Sequence, residues 1–439
     1  GAKFFSDFSL ALAGRKRGGA GKIAILGSAF FGSVSGSAVS NVASTGAITI
    51  PMMKDGGYKN KTAGAIEAAA STGGQLMPPI MGAAAFLLAE NLQASYIDVM
   101  AAAIIPSLLY YISLFMFADL EAGRRQIDRV PENQIPKLSH VIKRGWFVFI
   151  PFALILVGLF NFHLRPETAA LIAIIAFVLI SFFLRYDKSP LDLGIYLRSL
   201  IAAGKAAVEI ILICAIAGMI IGLVARSGLS FGLGFFLVQL GKSSLLLLLV
   251  VTATVCIIMG MGLPTVGVYL LLASLAAPPL VELGLNPMAA HLFVLYFGML
   301  SMLTPPVAIA AFVAANLAKA DAMRTALESV RIGWPAYLIP FIFVVTPELL
   351  FEGSLVAILL IFCKSLVGVF IITSGIVGFI NVNLNLFTRC IFIIIGAMIL
   401  MPPSLANEIV WINIIATAIG GGIIWLNRRE FPKQTDPQS

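Results

Sequence analysis

Twice along this chain a long apolar run is broken by glycine, and twice the apolar run that follows is broken by a pair of prolines. The first copy is Ser35-Gly36-Ser37, then Leu76-Met77-Pro78-Pro79-Ile80. The second is Gly260-Met261-Gly262-Leu263-Pro264-Thr265, then Leu303-Thr304-Pro305-Pro306-Val307. Gly36 lies 42 positions before Pro78, and Gly262 lies 43 before Pro305. A helix broken inside hydrocarbon leaves backbone groups unpaired, so it persists only where protein or an enclosed cavity surrounds it. Interruptions repeated in two halves of a membrane chain point to a secondary transporter's binding site.

The membrane assignment follows from composition. The chain is 59% hydrophobic and 11% charged, whereas soluble domains carry about 25% charged residues. Its net charge of +8 comes from Lys and Arg in short loops between apolar runs. That is the pattern of cytoplasmic loops in a membrane protein, and it argues against nucleic acid as a partner. Cys214, Cys256, Cys363 and Cys390 lie in apolar segments without paired spacing, so they read as small core residues. His140, His163 and His291 form no cluster. No HExxH or Walker A motif occurs. Neither an enzyme nor an ATPase is expected, and no cofactor beyond a coupling ion. The chain begins at Gly1 rather than Met, and we expect further helices upstream.

Residues 1–21 form a short amphipathic stretch ending in basic residues. The limbs of 22–53 on either side of Ser35–Ser37 are about 13–16 residues each, roughly 20–24 Å as helix. That is short of a hydrocarbon core of about 30 Å, so we expect a re-entrant hairpin. Arg15 to Lys22 and Lys54, Lys59 and Lys61 flank it, which puts its mouth in the cytoplasm. Residues 62–92 then form a helix broken at Pro78-Pro79, and 97–118 return; with the hairpin these make a first repeat over 22–118. A cytoplasmic loop, two helices (146–162 and 167–184) and an interfacial helix (190–204) fill 119–204. The second repeat, 205–350, holds a helix at 205–225, a hairpin at 243–283 opening outward, a helix at 288–318 broken at Pro305-Pro306, and a helix at 332–350. Accessory helices at 351–427 lead to a cytoplasmic tail at 428–439. Loops 91–97, 162–167, 226–242 and 282–288 face outward and form the expected docking surface. The fold class is therefore an all-α polytopic membrane protein built from two repeats inverted relative to one another.

The interruptions also supply the candidate ligands. Ser35, Gly36, Ser37 and Asn41 sit at the first tip, and Ser71, Thr72, Gly73, Gly74 and Gln75 precede the first proline pair. Gly260, Gly262, Thr265, Ser301 and Thr304 are their counterparts. Uncharged hydroxyl, amide and carbonyl oxygens suit Na⁺, and one ion site per repeat is expected. We place the substrate between the tips and the prolines, against Ser37, Gln75, Pro78, Pro264, Thr265 and Pro305. Half-helices starting at the breaks direct free N–H groups inward, which favours an anionic substrate such as a carboxylate. For any single Ser or Gly here, close helix packing accounts for the residue as well as ligation does; the repetition is what points to ligation. Glu67 and Glu209 lie within apolar segments, where a carboxylate is a functional candidate. Lys205, one turn before Glu209, offers it a structural partner, and Glu67 lies near the cytoplasmic start of its span, where solvation explains it equally well. Lys364 is placed to snorkel.

The runs from Gly32 to Val42 and from Glu67 to Pro79 resemble the large membrane subunit of tripartite ATP-independent periplasmic (TRAP) transporters. The stretch from Glu67 through Asn91 is most similar to fused permeases that partner a TAXI-type binding protein. The resemblance covers about residues 1–345, and is much weaker beyond 350. It implies an elevator-type, Na⁺-coupled importer in the bacterial inner membrane. Such an importer takes a small organic anion from a periplasmic binding protein and works with a small membrane subunit, separate or fused upstream. It further implies that Ser35, Gly36, Ser37, Thr72 and Gly73 lie near one Na⁺, and Gly260, Gly262, Thr265 and Ser301–Thr304 near the other. A stand-alone ion-coupled carboxylate carrier with the same plan would differ in needing no binding protein. An intramembrane enzyme would need a nucleophile, base or metal cluster, which the chain does not offer.

Overall fold

The computed structural model describes residues 2–184, 186 and 193–401; the crossing expected at 407–426 and the tail at 428–439 lie outside the described residues. Those described form helices and turns, with one isolated β-bridge between Phe379 and Asn383. Helices α1 (Ala2–Ala13), α2 (Gly19–Ser35) and α3 (Ala38–Asp55) are followed by α4 (Asn60–Gly73), α5 (Ala83–Leu92) and α6 (Tyr96–Arg125). Next come α7 (Leu138–Gly145), α8 (Ile150–Phe160), α9 (Pro166–Phe183), α10 (Leu193–Arg226) and α11 (Leu229–Ser243). Helices α12 (Leu245–Gly260), α13 (Thr265–Leu275), α14 (Ala277–Glu282), α15 (Pro287–Leu300) and α16 (Ile309–Ala318) follow. The described residues close with α17 (Ala322–Ile332), α18 (Trp334–Phe343), α19 (Leu355–Val377) and α20 (Leu386–Leu400).

Local chemistry sets these boundaries. The 30-residue α6 starts where the Ser95 hydroxyl caps the Ile97 N–H. Asp98 in its first turn and Arg124 and Arg125 in its last complement the helix dipole. Asn286 and Pro287 open α15 in the same way, the side chain accepting from Met288 N and the proline occupying the first helical position. Among the described residues five helices are long and apolar enough to cross a membrane, over Tyr96–Arg125, Glu132–Phe160, Pro166–Phe183, Gly194–Arg226 and Leu355–Val377. The hairpin limbs are shorter: α12, with 16 residues, is about 24 Å long.

Burial separates a centre from a periphery. Every residue of α4 from Thr62 to Gly73 is buried, and α15 is buried along all but its first residues and His291. A helix apolar on all sides belongs inside the protein. By contrast α8, α9 and α10 expose most of their apolar side chains, as lipid-facing helices do. The two broken helices interlock the repeats. Helix α4 packs on α2 and α3 of its own half and on α16 and α17 of the other, while α5 packs on α13 and α15.

Three expectations from the sequence are corrected. The interfacial helix expected at 190–204 and the crossing at 205–225 are one helix over the described part, α10, because Gly204 alone does not break a strongly apolar run. Residues 226–242, expected as an outward loop, form α11 behind a turn at Gly228 (φ +75°) and pack on α12 and α14. The helix expected at 332–350 is divided: α17 ends at Gly333, α18 stops at Phe343, and 347–350 form a single 3-10 turn.

Candidate ion and substrate site at the paired breaks

Helix α2 ends because Gly36 takes a left-handed conformation (φ +61°), its N–H returning to the Gly32 carbonyl at 2.9 Å. Ser37 then caps α3, accepting from Ser40 N at 3.3 Å. The turn rests directly on the break of the first broken helix. A Cβ on Gly36 would lie 2.9 Å from Gly82 Cα, and one on Gly74 would lie 2.5 Å from Gly32 Cα. Backbone therefore meets backbone at both points, which only glycine permits. Fully buried Asn41 fastens the three helices together: its Nδ2 donates to Ser28 O at 2.9 Å and to Ser71 O at 3.4 Å.

Helix α4 gives way to a 3-10 turn at Gly74–Leu76 and then to Pro78-Pro79. The break closes on itself through Gly82 N, which donates to Gln75 O at 2.9 Å. Tyr96 satisfies part of the opened backbone, its hydroxyl donating to Pro79 O at 3.2 Å and Ile80 O at 2.5 Å. Thr72 is sealed inside with its hydroxyl on Ala68 O at 2.8 Å. Gly73 faces the Tyr110 ring, which a Cβ would approach to 2.3 Å.

The second copy repeats the plan with a longer turn. Helix α12 ends at Gly260, Gly262 carries φ +81°, and α13 starts at Thr265 with Pro264 before it. Buried Ser301 donates to Gly260 O at 2.9 Å and Gly298 O at 2.6 Å, holding the hairpin against the second break. Thr304 donates to Leu300 O at 2.7 Å and lies 2.7 Å from the Tyr337 hydroxyl. Both proline pairs, Pro78-Pro79 and Pro305-Pro306, have cis peptide bonds.

A hydrogen bond joins the two copies at their centre. Thr265 Oγ1 donates to Gln75 Oε1 at 2.5 Å, joining the second hairpin to the first break. Gln75 is 3% exposed, and among the described residues its Nε2 has no partner. The enclosed Ser35 Oγ has none either. The stretches 32–42, 71–83, 258–268 and 298–309 contain no charged residue. Helices α5, α13 and α16 begin at these breaks behind Gly82, Pro264 and Ala308, with no side chain capping their N–H groups. Such ends attract anions.

Of the residues named from the sequence, the structure brings Gln75 and Thr265 into direct contact and sets Ser35 and Gly36 beside the first break. Gly260 and Ser301 bond to each other. Asn41, Thr72 and Thr304 use their polar atoms within the helix packing. Ser37, Gly262 and Pro264 lie exposed at the turns, and Pro78 and Pro305 are half-buried at the breaks.

One cluster was not read from the sequence as such. Glu67 has no exposed surface, so the solvated reading is overturned. Four hydroxyls surround its carboxyl group: Ser28 at 2.8 Å, Thr45 at 2.5 Å and Ser71 at 3.1 Å from Oε1, and Thr49 at 2.5 Å from Oε2. The available signal was the four-residue spacing of Thr45 with Thr49 and of Glu67 with Ser71, which puts each pair on one helix face. The side chain of Glu209 lies outside the described residues, and Lys364 Nζ donates to Met401 O at 2.6 Å.

Together these features define a polytopic helical membrane protein with paired hairpins and paired broken helices around an uncharged centre. Residues 1–358 match the family model of the tripartite ATP-independent periplasmic transporter, DctM component, and the chain belongs to that family. Its members are permeases of the bacterial inner membrane, not enzymes. The chain is 25% identical over 348 residues to the C4-dicarboxylate TRAP transporter large permease protein DctM of Pseudomonas aeruginosa, spanning 79% of each. It is 25% identical over 353 residues to the 2,3-diketo-L-gulonate TRAP transporter large permease protein YiaN of Escherichia coli, covering 80% of this chain and 81% of the relative. With the sialic acid TRAP transporter permease protein SiaT of Haemophilus influenzae it shares 24% identity over 335 residues, 76% of this chain and 52% of the relative.

Proposed function

We propose that this chain is the permease subunit of a secondary importer that couples a Na⁺ gradient to uptake of a small organic anion, a carboxylate. The observation that carries this reading is the Gln75–Thr265 junction, where the second hairpin turn meets the first break and Gln75 Nε2 is left without a partner among the described residues. A buried amide N–H of this kind is a donor held for an anionic oxygen. The uncapped N-termini of α5, α13 and α16 add further donors. The relatives are named for C4-dicarboxylate, 2,3-diketo-L-gulonate and sialic acid, each a carboxylic acid. Neutral oxygens at Ser35, Gly36, Thr72 and Gly73, and at Gly260, Gly262, Thr265, Ser301 and Thr304, form the proposed ion sites. A periplasmic binding protein, of TAXI type in the reading made from the sequence, delivers the substrate, and a small membrane subunit completes the assembly. The hairpins and broken helices move together, as a block, against α8, α9 and α10.

The test is a thermal-stability titration of the purified protein in NaCl against KCl at constant ionic strength. A ligand bound only by the folded state stabilises it by about 2.7 kcal/mol at 100 times Kd. A saturable rise in Na⁺ alone supports the reading; superimposable curves overturn the Na⁺ sites. Uptake of a labelled dicarboxylate into vesicles, with and without the binding protein, then tests the substrate class and the partner.

A further inference from the structure

A cavity of about 450 Å³ lies between the first hairpin and α8 and α9, and none of the proposed ion or substrate residues lines it. Two of its walls are helix faces. Val148, Pro151, Phe152 and Ile155 recur at i, i+3, i+4 and i+7 along the 3-10 turn into α8 and α8 itself. Ala170, Ala173, Ile174 and Phe177 repeat that spacing on α9, which puts each set on one side of its helix. Seven residues of helix span about 10 Å. Phe31 and Val34 of α2, Ile80 of the first break and Phe5 of α1 complete the lining. Helices α8 and α9 draw together at Gly158, where a Cβ would lie 3.2 Å from Ala169 Cβ. Beyond that contact the small side chains of Ala170 and Ala173 leave the space open.

Among the described residues every lining side chain is Phe, Val, Ile, Pro or Ala. Such a lining offers no partner to an ion, an anion or a peptide backbone. Ile174 and Phe177 are exposed on the lipid-facing α9, so hydrocarbon borders the cavity. A 10 Å length of helix, with a diameter of about 10–12 Å, fills about 800–1,100 Å³, about twice the space present. A single acyl chain is slender enough to enter.

The approach to α8 carries a charge that suits a lipid headgroup. Helix α7 lies against α1, where a Cβ on Gly145 would meet the Phe4 ring at 2.3 Å. Its last turn exposes Lys143 and Arg144, five and four positions before Val148. Among the described residues neither has an acidic partner: Arg144 lies 5.9 Å from the Tyr186 ring, and Tyr186 donates to Asp7 at 2.7 Å. Exposed Trp146 follows, a residue type enriched where membrane meets water. Cations beside an apolar groove match an anionic phospholipid.

We propose that this groove is a phospholipid site, with one acyl chain between the first hairpin and α8 and α9 and an anionic headgroup held by Lys143 and Arg144. The site stands apart from the Na⁺ reading. One consequence alone rests on the moving block described above: the chain fills the seam between the first hairpin and the helices it moves against.

The experiment places the whole chain in phosphatidylcholine vesicles containing phosphatidylglycerol with a photoactivatable diazirine on one acyl chain. Cross-linked residues are mapped by mass spectrometry. Label is expected to concentrate on 148–155, 170–177 and 31–34, above its level on exposed Leu212, Met219 and Leu223 of α10. Unlabelled phosphatidylglycerol should compete for the groove better than phosphatidylcholine. Ala170→Phe fills the groove and is expected to remove its label while α10 stays labelled; Ile174→Trp, at an exposed position, does the same if Ala170→Phe does not fold. Lys143→Gln and Arg144→Gln should each cut the preference for phosphatidylglycerol by about fivefold. Groove label no denser than that on α10 means ordinary bilayer contact only and overturns the proposal. Absence of groove label with α10 labelled means that protein covers the groove, and overturns it too. So does label that persists in the filled variant, or a headgroup preference that neither Gln variant changes. Failure of the Na⁺ sites is read separately, from the NaCl and KCl stability curves.

Discussion

Thr265 and Gln75, 190 positions apart, share a 2.5 Å hydrogen bond that links the second hairpin to the first broken helix. It joins the first residue of α13 to the 3-10 turn after α4, so it reports whether the two repeats are docked. Removing one partner of a buried bond strands the other, at about 1–3 kcal/mol. We expect Thr265→Val and Gln75→Leu each to destabilise the protein by that amount. The double variant should cost less than the sum, which a double-mutant cycle on unfolding stability measures. Additive losses would mean that the bond does not form in the membrane.

The glycine contacts under the first hairpin make a sharper prediction. Gly74→Ala puts a methyl group 2.5 Å from Gly32 Cα, backbone that cannot turn aside. Overpacking of this kind costs about 1–3 kcal/mol or more, and the hairpin should lift from the break. Gly204→Ala on α10 meets nothing within 4 Å and removes a helix-interior glycine, a gain of up to about 1 kcal/mol. Thermal unfolding of the pair, with protease sensitivity of the Gly36 turn, checks the contrast.

Ser35 and Thr72 should separate ligation from packing. Ser35 Oγ has no partner, so Ser35→Ala should leave stability in KCl nearly unchanged and lower the stabilisation gained from NaCl. Thr72 already bonds to Ala68 O, so Thr72→Ala should lose some stability in both salts, about 0.5–1.5 kcal/mol. If both variants keep the wild-type NaCl response, neither hydroxyl binds the ion.

Asn41 offers a test of helix fastening. Asn41→Leu keeps the volume but leaves the carbonyls of Ser28 and Ser71 without their donor. A loss of about 1–3 kcal/mol is expected in either salt. A selective loss of the Na⁺ response, with KCl stability intact, would instead move Asn41 into the ion site.

Several of these features were legible in the amino-acid sequence for local reasons. Glycine and proline have backbone preferences that no neighbour alters, so the turns at Gly36 and Gly262 and the breaks before Pro78 and Pro305 could be read directly. The membrane class followed equally directly from long apolar runs and sparse charge. Helix boundaries governed by weaker signals were misread: Gly204 did not divide α10, and the apolar run 229–243 formed a helix rather than a loop.

What the tertiary structure alone decided is which polar atoms meet. Gln75 and Thr265 come from opposite halves of the chain, and the hydroxyls around Glu67 come from three helices. A sequence states that these groups exist and how often they recur along one helix. It does not state which of them end up unpartnered, as Gln75 Nε2 and Ser35 Oγ do, or fully enclosed, as Glu67 is. Those outcomes depend on the interlocking of α4 with α16 and α17 and of α5 with α13 and α15. In a low-dielectric interior each such pairing is worth far more than in water, so the chemistry of the site is set by packing that no local pattern encodes.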